Sequence, residues 1–308
     1  MARIVITEFM GEAAVAQLRA AHDVLYDPKL VDDPVRLHAE AAGADAIVVR
    51  NRTQVRGELL GALARCKVVG RLGVGLDNID VAACESRGMR VIPATGANAL
   101  SVAEYVIGAA MLLLRGAYQS TADVATGRWP RSALSNGREL AGKALGIVGF
   151  GSIGQLTARL AKALSVQVVA FDAMMDRGHP AYAEAGVECD GLDSLLARAD
   201  VVTLHVPLAD ATRNLIDAAR IAKMKPGAVL ITTARGGIVD ERAVADALRS
   251  GRLGGAALDV FATEPLPAQP HFEGCPNLLL TPHIAGVTGE SNERVSGVIA
   301  DKVLEALR

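Results

Sequence analysis

Short apolar runs alternate with amphipathic stretches along the first 95 residues. Runs at 3–8, 23–26, 46–50, 67–70 and 90–92 read as strands. The stretches between them, such as 12–20 and 35–42, repeat their apolar positions at three- and four-residue spacing, as a helix with one buried face does. Strands that are continuously apolar fit parallel sheets covered on both faces. A second βα series begins at 144–149 and continues with strands at 166–171, 201–206, 228–232, 256–260 and 278–280, then a helix at 290–307. Between the two series, 101–115 reads as a long helix, with Ser101 as N-cap and Glu104 completing a capping box. It is apolar almost all round, which predicts a buried helix, at a subunit interface or in a core. The expected fold class is therefore α/β, with two Rossmann-like domains and a cleft between them. The chain should cross near 95–101 and return near 285–289.

Composition narrows the partners. The chain has 308 residues, 51% of them hydrophobic but only 3% aromatic, so its core must be built from Val, Leu, Ile and Ala. The net charge is −2 and no block of like charge occurs, which argues against nucleic-acid or membrane-surface partners. Cys66, Cys84, Cys189 and Cys275 form no C-x-x-C pair and no metal-ligand spacing with His, so no metal is expected and reduced thiols in the cytoplasm are. The apolar run after Met1-Ala2-Arg3 is too short for a signal peptide. The stretch 102–114 contains Glu104 and falls short of the roughly 20 residues that span a bilayer.

The first chemical motif is Gly149-Phe150-Gly151-Ser152-Ile153-Gly154, a G-x-G-x-x-G between a strand and a helix read at 155–164. Gly149 permits the tight turn, Gly151 the approach of a pyrophosphate and Gly154 close helix–strand packing. Ser152 and Ile153 open a helix whose free N–H groups favour an anion. Asp172 ends the next strand, near the offset expected for a ribose hydroxyl acceptor. A carboxylate there repels a 2′-phosphate, so NAD is favoured over NADP, a preference that the nearby Arg177 would soften.

Oxidising a hydroxyl by hydride transfer also requires a grip on the substrate, a base for the hydroxyl proton and stabilisation of charge on the carbonyl oxygen. Arg235, Glu264 and His283 each follow a strand of the second series, at the ends where open α/β sheets bind ligands. An Arg fork suits a carboxylate, a His suits proton transfer near neutral pH, and an acid beside that His orients the ring.

Five stretches, in this order and spacing, give the chain a resemblance to the D-isomer-specific 2-hydroxyacid dehydrogenase family. They are 73–80 (Gly-Val-Gly-Leu-Asp-Asn-Ile-Asp), the glycine loop, 234–240 (Ala-Arg-Gly-Gly-Ile-Val-Asp), 259–265 and 282–286 (Pro-His-Ile-Ala-Gly). The resemblance covers nearly the whole chain. It implies a parallel-sheet NAD-binding domain at 98–287 and a discontinuous, flavodoxin-like substrate domain made of 1–97 plus 288–308. It also implies that Arg235 binds the substrate carboxylate, His283 is the acid/base paired with Glu264, and the backbone N–H groups of Val74 and Gly75 hold the carboxylate. Asp259 would hold the nicotinamide carboxamide beside Thr233 and Ala234, with Gly286 and His283 close to the cofactor. His205, Val206, Pro207 and Thr212 would line its adenosine and phosphate side. A homodimer through 101–140, which includes Trp129, is implied as well.

Arg50 and Arg52 end a first-series strand. Two cations there fit a substrate with a second anionic group, a phosphorylated or sulfonated 2-hydroxy acid. The competing function is a nicotinamide-sensing corepressor or scaffold of the same fold with little turnover. Formate oxidation, on a similar fold, is disfavoured by Glu264.

Overall fold

Ile- and Val-rich runs become the buried central strands, and the site residues expected from the sequence lie in the loops at strand carboxyl ends. A computed structural model describes residues 1–308 as two units, 1–98 with 287–308 and 99–286. The first unit has five parallel strands, β1 (Arg3–Ile6), β2 (Asp23–Tyr26), β3 (Ala46–Val49), β4 (Val68–Arg71) and β5 (Arg90–Pro93). Their order is β2-β1-β3-β4-β5. Ile4, Ile6 and Val48 pack against Ile299 and Val303 of the Gly289–Ala306 helix, so the last segment of the chain completes the first core. Val5, Ile47 and Val49 face the other way, onto Leu37 and Leu60. The order reverses between β1 and β3. Connections leave in opposite directions there and open a crevice at the strand ends, which places Glu8 and the 50–53 loop at that crevice.

The second unit has seven parallel strands, β6 (Ala144–Val148), β7 (Gln167–Phe171), β8 (Glu188–Cys189), β9 (Val201–Leu204), β10 (Ala228–Thr232), β11 (Leu253–Leu258) and β12 (Leu278–Leu280). They run β12-β11-β10-β9-β6-β7-β8, the doubly wound order, reversing between β6 and β9. Ile147 pairs with Thr203 across that reversal. The glycine loop follows β6 and His205 follows β9, so both lie at the switch point. No helix is long and apolar enough to cross a membrane.

Two expectations need correction. The long helix spans Ala99–Arg115, so Ser101 lies inside its first turn and is not the N-cap. Ala99 and Leu100 are strong helix formers with no breaker before Ser101, and the helix simply extends over them. Leu100 and Met111 of that helix are 39% and 38% exposed in the single chain. β11 begins at Leu253 rather than 256 because Gly254 and Gly255 hide its start. A Cβ on Gly254 would lie 2.4 Å from Gly227 O, and one on Gly255 2.5 Å from Asn277 Nδ2, so crowding excludes the apolar side chains that would have marked the strand.

Candidate active site

Packing fixes two of the three motif glycines. Gly149 has φ +95°, and a Cβ on it would stand 2.7 Å from the His205 carbonyl. A Cβ on Gly154 would stand 2.3 Å from Gly149 O. Gly151 differs, because a Cβ there would meet nothing within 4 Å. It borders open space at the start of the Ser152–Ala163 helix, which it caps. The first-turn N–H groups, those of Ser152, Ile153 and Gly154, have no helical carbonyl to bond and can receive a pyrophosphate. Asp172 accepts the Phe150 N–H at 2.8 Å through Oδ2 and the Met174 N–H at 2.8 Å through Oδ1, so the acid is locked to the glycine loop. Arg177 pairs with Asp190 at 3.5 Å.

On the far side of the switch point, His205 Nε2 lies 3.1 Å from Thr203 Oγ1, and burial pushes the ring down to about 4, so it is neutral near pH 7. The Thr212 hydroxyl donates to Pro207 O at 2.6 Å and receives the Ala209 N–H at 2.8 Å. Thr212 therefore shapes the turn after Val206 and Pro207. At the end of β10, Thr232 Oγ1 and Thr233 Oγ1 are buried with no hydrogen-bond partner. Buried hydroxyls are rarely left so. These orphans, with the open ground at Gly151, fit a nicotinamide dinucleotide held by the glycine loop, Asp172 and the strand ends.

The other three residues meet in the same unit. The Glu264 carboxylate accepts the Phe261 N–H at 2.9 Å through Oε1 and lies 2.7 Å from His283 Nδ1 through Oε2. A carboxylate only accepts, so Nδ1 carries a proton and Nε2 is left for chemistry. Burial alone would raise the Glu264 carboxyl. The bond to His283, the Phe261 N–H and the charges of His283 and Arg235 outweigh it and hold Glu264 below the usual range. Arg235 reaches this carboxylate's surroundings because Gly236 has no side chain: a Cβ there would sit 1.7 Å from Phe261 O. The 233–237 loop can therefore press on the 259–264 loop, while Arg235 Nη1 donates to Ala234 O at 2.6 Å.

His283 has φ +56°, a left-handed conformation that a non-glycine residue adopts only when its surroundings impose it. Asp259 imposes it. Its backbone oxygen accepts the His283 N–H at 2.8 Å. Its carboxylate takes the N–H groups of Ile284 at 2.9 Å and Ala285 at 2.8 Å, and the Thr281 hydroxyl at 2.6 Å. Asp259, read from the resemblance as a nicotinamide contact, is thus committed chiefly to the loop that ends at Gly286.

In the first unit, Glu8 receives the N–H groups of Arg50 (2.9 Å), Arg52 (3.1 Å) and Thr53 (3.0 Å). Asn78 Nδ2 ties Arg50 O and Thr53 O to the 73–80 stretch. The two arginines then diverge. Arg50 Nη2 donates to the neutral Asn292 Oδ1 at 2.7 Å, with its guanidinium 5.8 Å from the Phe9 ring centre. Arg52 forms an ion pair with Asp32 and is 59% exposed. Arg71, which sequence reasoning did not single out, folds its guanidinium over Gly73, next to Val74 and Gly75, and donates to Leu72 O at 2.8 Å. A Cβ on Gly73 would lie 2.0 Å from Arg71 Nη1, and the one prior signal is a cation ending an otherwise apolar strand.

The D-isomer specific 2-hydroxyacid dehydrogenase NAD-binding-domain family matches residues 107–285. An (S)-sulfolactate dehydrogenase of Chromohalobacter salexigens is 52% identical over 307 residues, 100% of this chain and 99% of that one. A D-3-phosphoglycerate dehydrogenase of Mycobacterium leprae is 40% identical over 306 residues, 99% of this chain but 56% of that one. Among solved structures, the TT0316 protein of Thermus thermophilus superposes with a TM-score of 0.86 at 32% identity, covering 99% of this chain and 96% of that one.

Proposed function

The chain belongs to the D-isomer-specific 2-hydroxyacid dehydrogenase family, and from that premise we propose that its substrate is a 2-hydroxy acid with a second, sulfonate anion, 3-sulfolactate or its 2-oxo counterpart, and that its nicotinamide is NAD. The chain is a nicotinamide-dependent oxidoreductase acting at C2 of a 2-hydroxy acid. The observation that carries the chemical reading is the 2.7 Å pair of His283 Nδ1 and Glu264 beside Arg235.

The bound cofactor supplies or receives the hydride. Arg235 offers a planar fork to the carboxylate and to the C2 oxygen, where negative charge grows as hydride arrives. The N–H groups of Val74 and Gly75 add donors for the carboxylate. His283 Nε2 gives the C2 oxygen its proton in reduction and removes it in oxidation. Glu264 stabilises the imidazolium that reduction consumes and oxidation forms. Arg50, rather than Arg52, is the cation proposed for the second anion, since Arg52 is already paired with Asp32 while Arg50 donates to the neutral Asn292 amide.

Four outcomes follow. With Glu264→Gln, the pH optimum for reduction moves to lower pH by on the order of one unit, because the protonated ring has lost its anionic neighbour. A superimposable pH profile would break the pairing. Arg50→Ala should lower kcat/KM for 3-sulfopyruvate by about 10- to 150-fold, the size of a lost charged hydrogen bond. It should change glyoxylate reduction by less than about threefold, as should Arg52→Ala on both substrates, since exposed ion pairs contribute little. Equal losses on both substrates in Arg50→Ala would remove the sulfonate assignment.

NADH should outperform NADPH, and Asp172→Ala should abolish most of that preference; a wild-type enzyme indifferent to the two would refute the choice of NAD. Finally, we propose a homodimer through 101–140, where Tyr118 (64%), Val124 (46%) and Trp129 (75%) expose apolar surface. Sedimentation should give a dimer that Trp129→Glu dissociates, and a monomeric wild type would contradict it.

A further inference from the structure

Tyr105 lies on the Ala99–Arg115 helix, outside every motif read above. Its hydroxyl is 2.6 Å from Thr281 Oγ1, which is itself 2.6 Å from Asp259 Oδ1. The proton inventory gives this chain a direction. A carboxylate oxygen accepts, so the single Thr281 proton goes to Asp259 and the Tyr105 hydroxyl must donate to Thr281. Burial, helped by the charge of Asp259, raises the phenol above its ordinary value and keeps it a donor. Tyr105 thereby fixes the rotor of Thr281, and each bond in such a chain polarises the next.

The chain ends on the group that holds the left-handed residue. Asp259 is 1% exposed and staples both flanks of His283: Thr281 on one side, and the N–H groups of Ile284 and Ala285 on the other. We propose that Tyr105 is a positioning residue for His283, acting through Thr281 and Asp259. The role rests on the proposed reaction, in which His283 moves the proton. When the Tyr105 donor is removed, the Thr281 hydroxyl is free to turn and one side of the staple loosens. His283 then leaves the left-handed conformation part of the time and spends less time against Glu264. Arg235 is untouched, so the effect falls on proton transfer rather than on substrate binding.

The test compares wild type with Tyr105→Phe, Thr281→Val and Thr281→Ser, by the pH profile of 3-sulfopyruvate and glyoxylate reduction and by hydrogen exchange of the 281–286 amides. Tyr105→Phe should lower kcat about fivefold near neutral pH, the contribution of one hydrogen bond, with KM within about twofold. The limb on which kcat falls with rising pH should move to lower pH, and the Ile284 and Ala285 amides should exchange at least several-fold faster. Thr281→Val should do the same more strongly, and Thr281→Ser, which keeps the hydroxyl, should stay near wild type. A loss of kcat with an unmoved pH profile, or unchanged exchange in Thr281→Val, overturns the proposal. If wild type reduces no 2-oxo acid, the reaction assignment fails by itself. The exchange comparison then decides the staple: faster exchange in Thr281→Val reversed in Thr281→Ser supports it, and equal exchange overturns it.

Discussion

A carboxylate buried as deeply as Asp259, at 1% exposure, has to be surrounded by donors. An unpaired buried charge costs several kcal/mol, whereas a left-handed residue costs about 1–2 kcal/mol. The larger cost decides the shape of the loop. Residues 281–285 bend so that two N–H groups and a hydroxyl reach the anion, and His283 accepts φ +56° as a consequence. Asp259 also donates its own N–H to Thr232 O at 3.0 Å, which anchors the clamp to the end of β10. The imidazole is thus referenced to the central sheet, through backbone, rather than to a free loop.

The Glu264 side of the pair with His283 lies where two backbones approach closely. With no Cβ at Gly236, the loop bearing Arg235 can press on Phe261 and Ala262. Glu264 takes Nδ1 at 2.7 Å and the Phe261 N–H at 2.9 Å, and both bonds, with the nearby charges, outweigh its own desolvation. The carboxylate therefore stays ionised at neutral pH and protonates only as pH falls through that lowered value.

Much of this was legible in the sequence because it is written in local pattern. The runs that became β3, β6 and β10 are apolar along their length and are buried in the fold. The glycine loop, Asp172 and the strand-end positions of Arg235, Glu264 and His283 follow from the same periodicity. What stayed hidden depends on distant partners. Tyr105 and Thr281 are 176 positions apart, and Arg50 and Asn292 242, so neither contact leaves a mark in any window of sequence. Arg50 and Arg52 look equivalent on paper. Only the fold shows that one meets an amide and the other an aspartate.

That last difference bears on substrate choice. Glu8, at the switch point of the first sheet, is 5% exposed and spends its oxygens on the N–H groups of Arg50, Arg52 and Thr53. It orders the loop without forming a close ion pair with Arg50, whose own contact is the neutral Asn292. Burial lowers Arg50 from its ordinary value, against the pull of the Glu8 charge, so this cation has lost more hydration than its neighbours have returned. An incoming sulfonate would restore part of that loss, and a charge-assisted bond is worth about 1.5–3 kcal/mol when the cation is not already paired. At Arg52 the same anion would first have to displace Asp32, in full solvent, where the exchange of one exposed pair for another gains almost nothing.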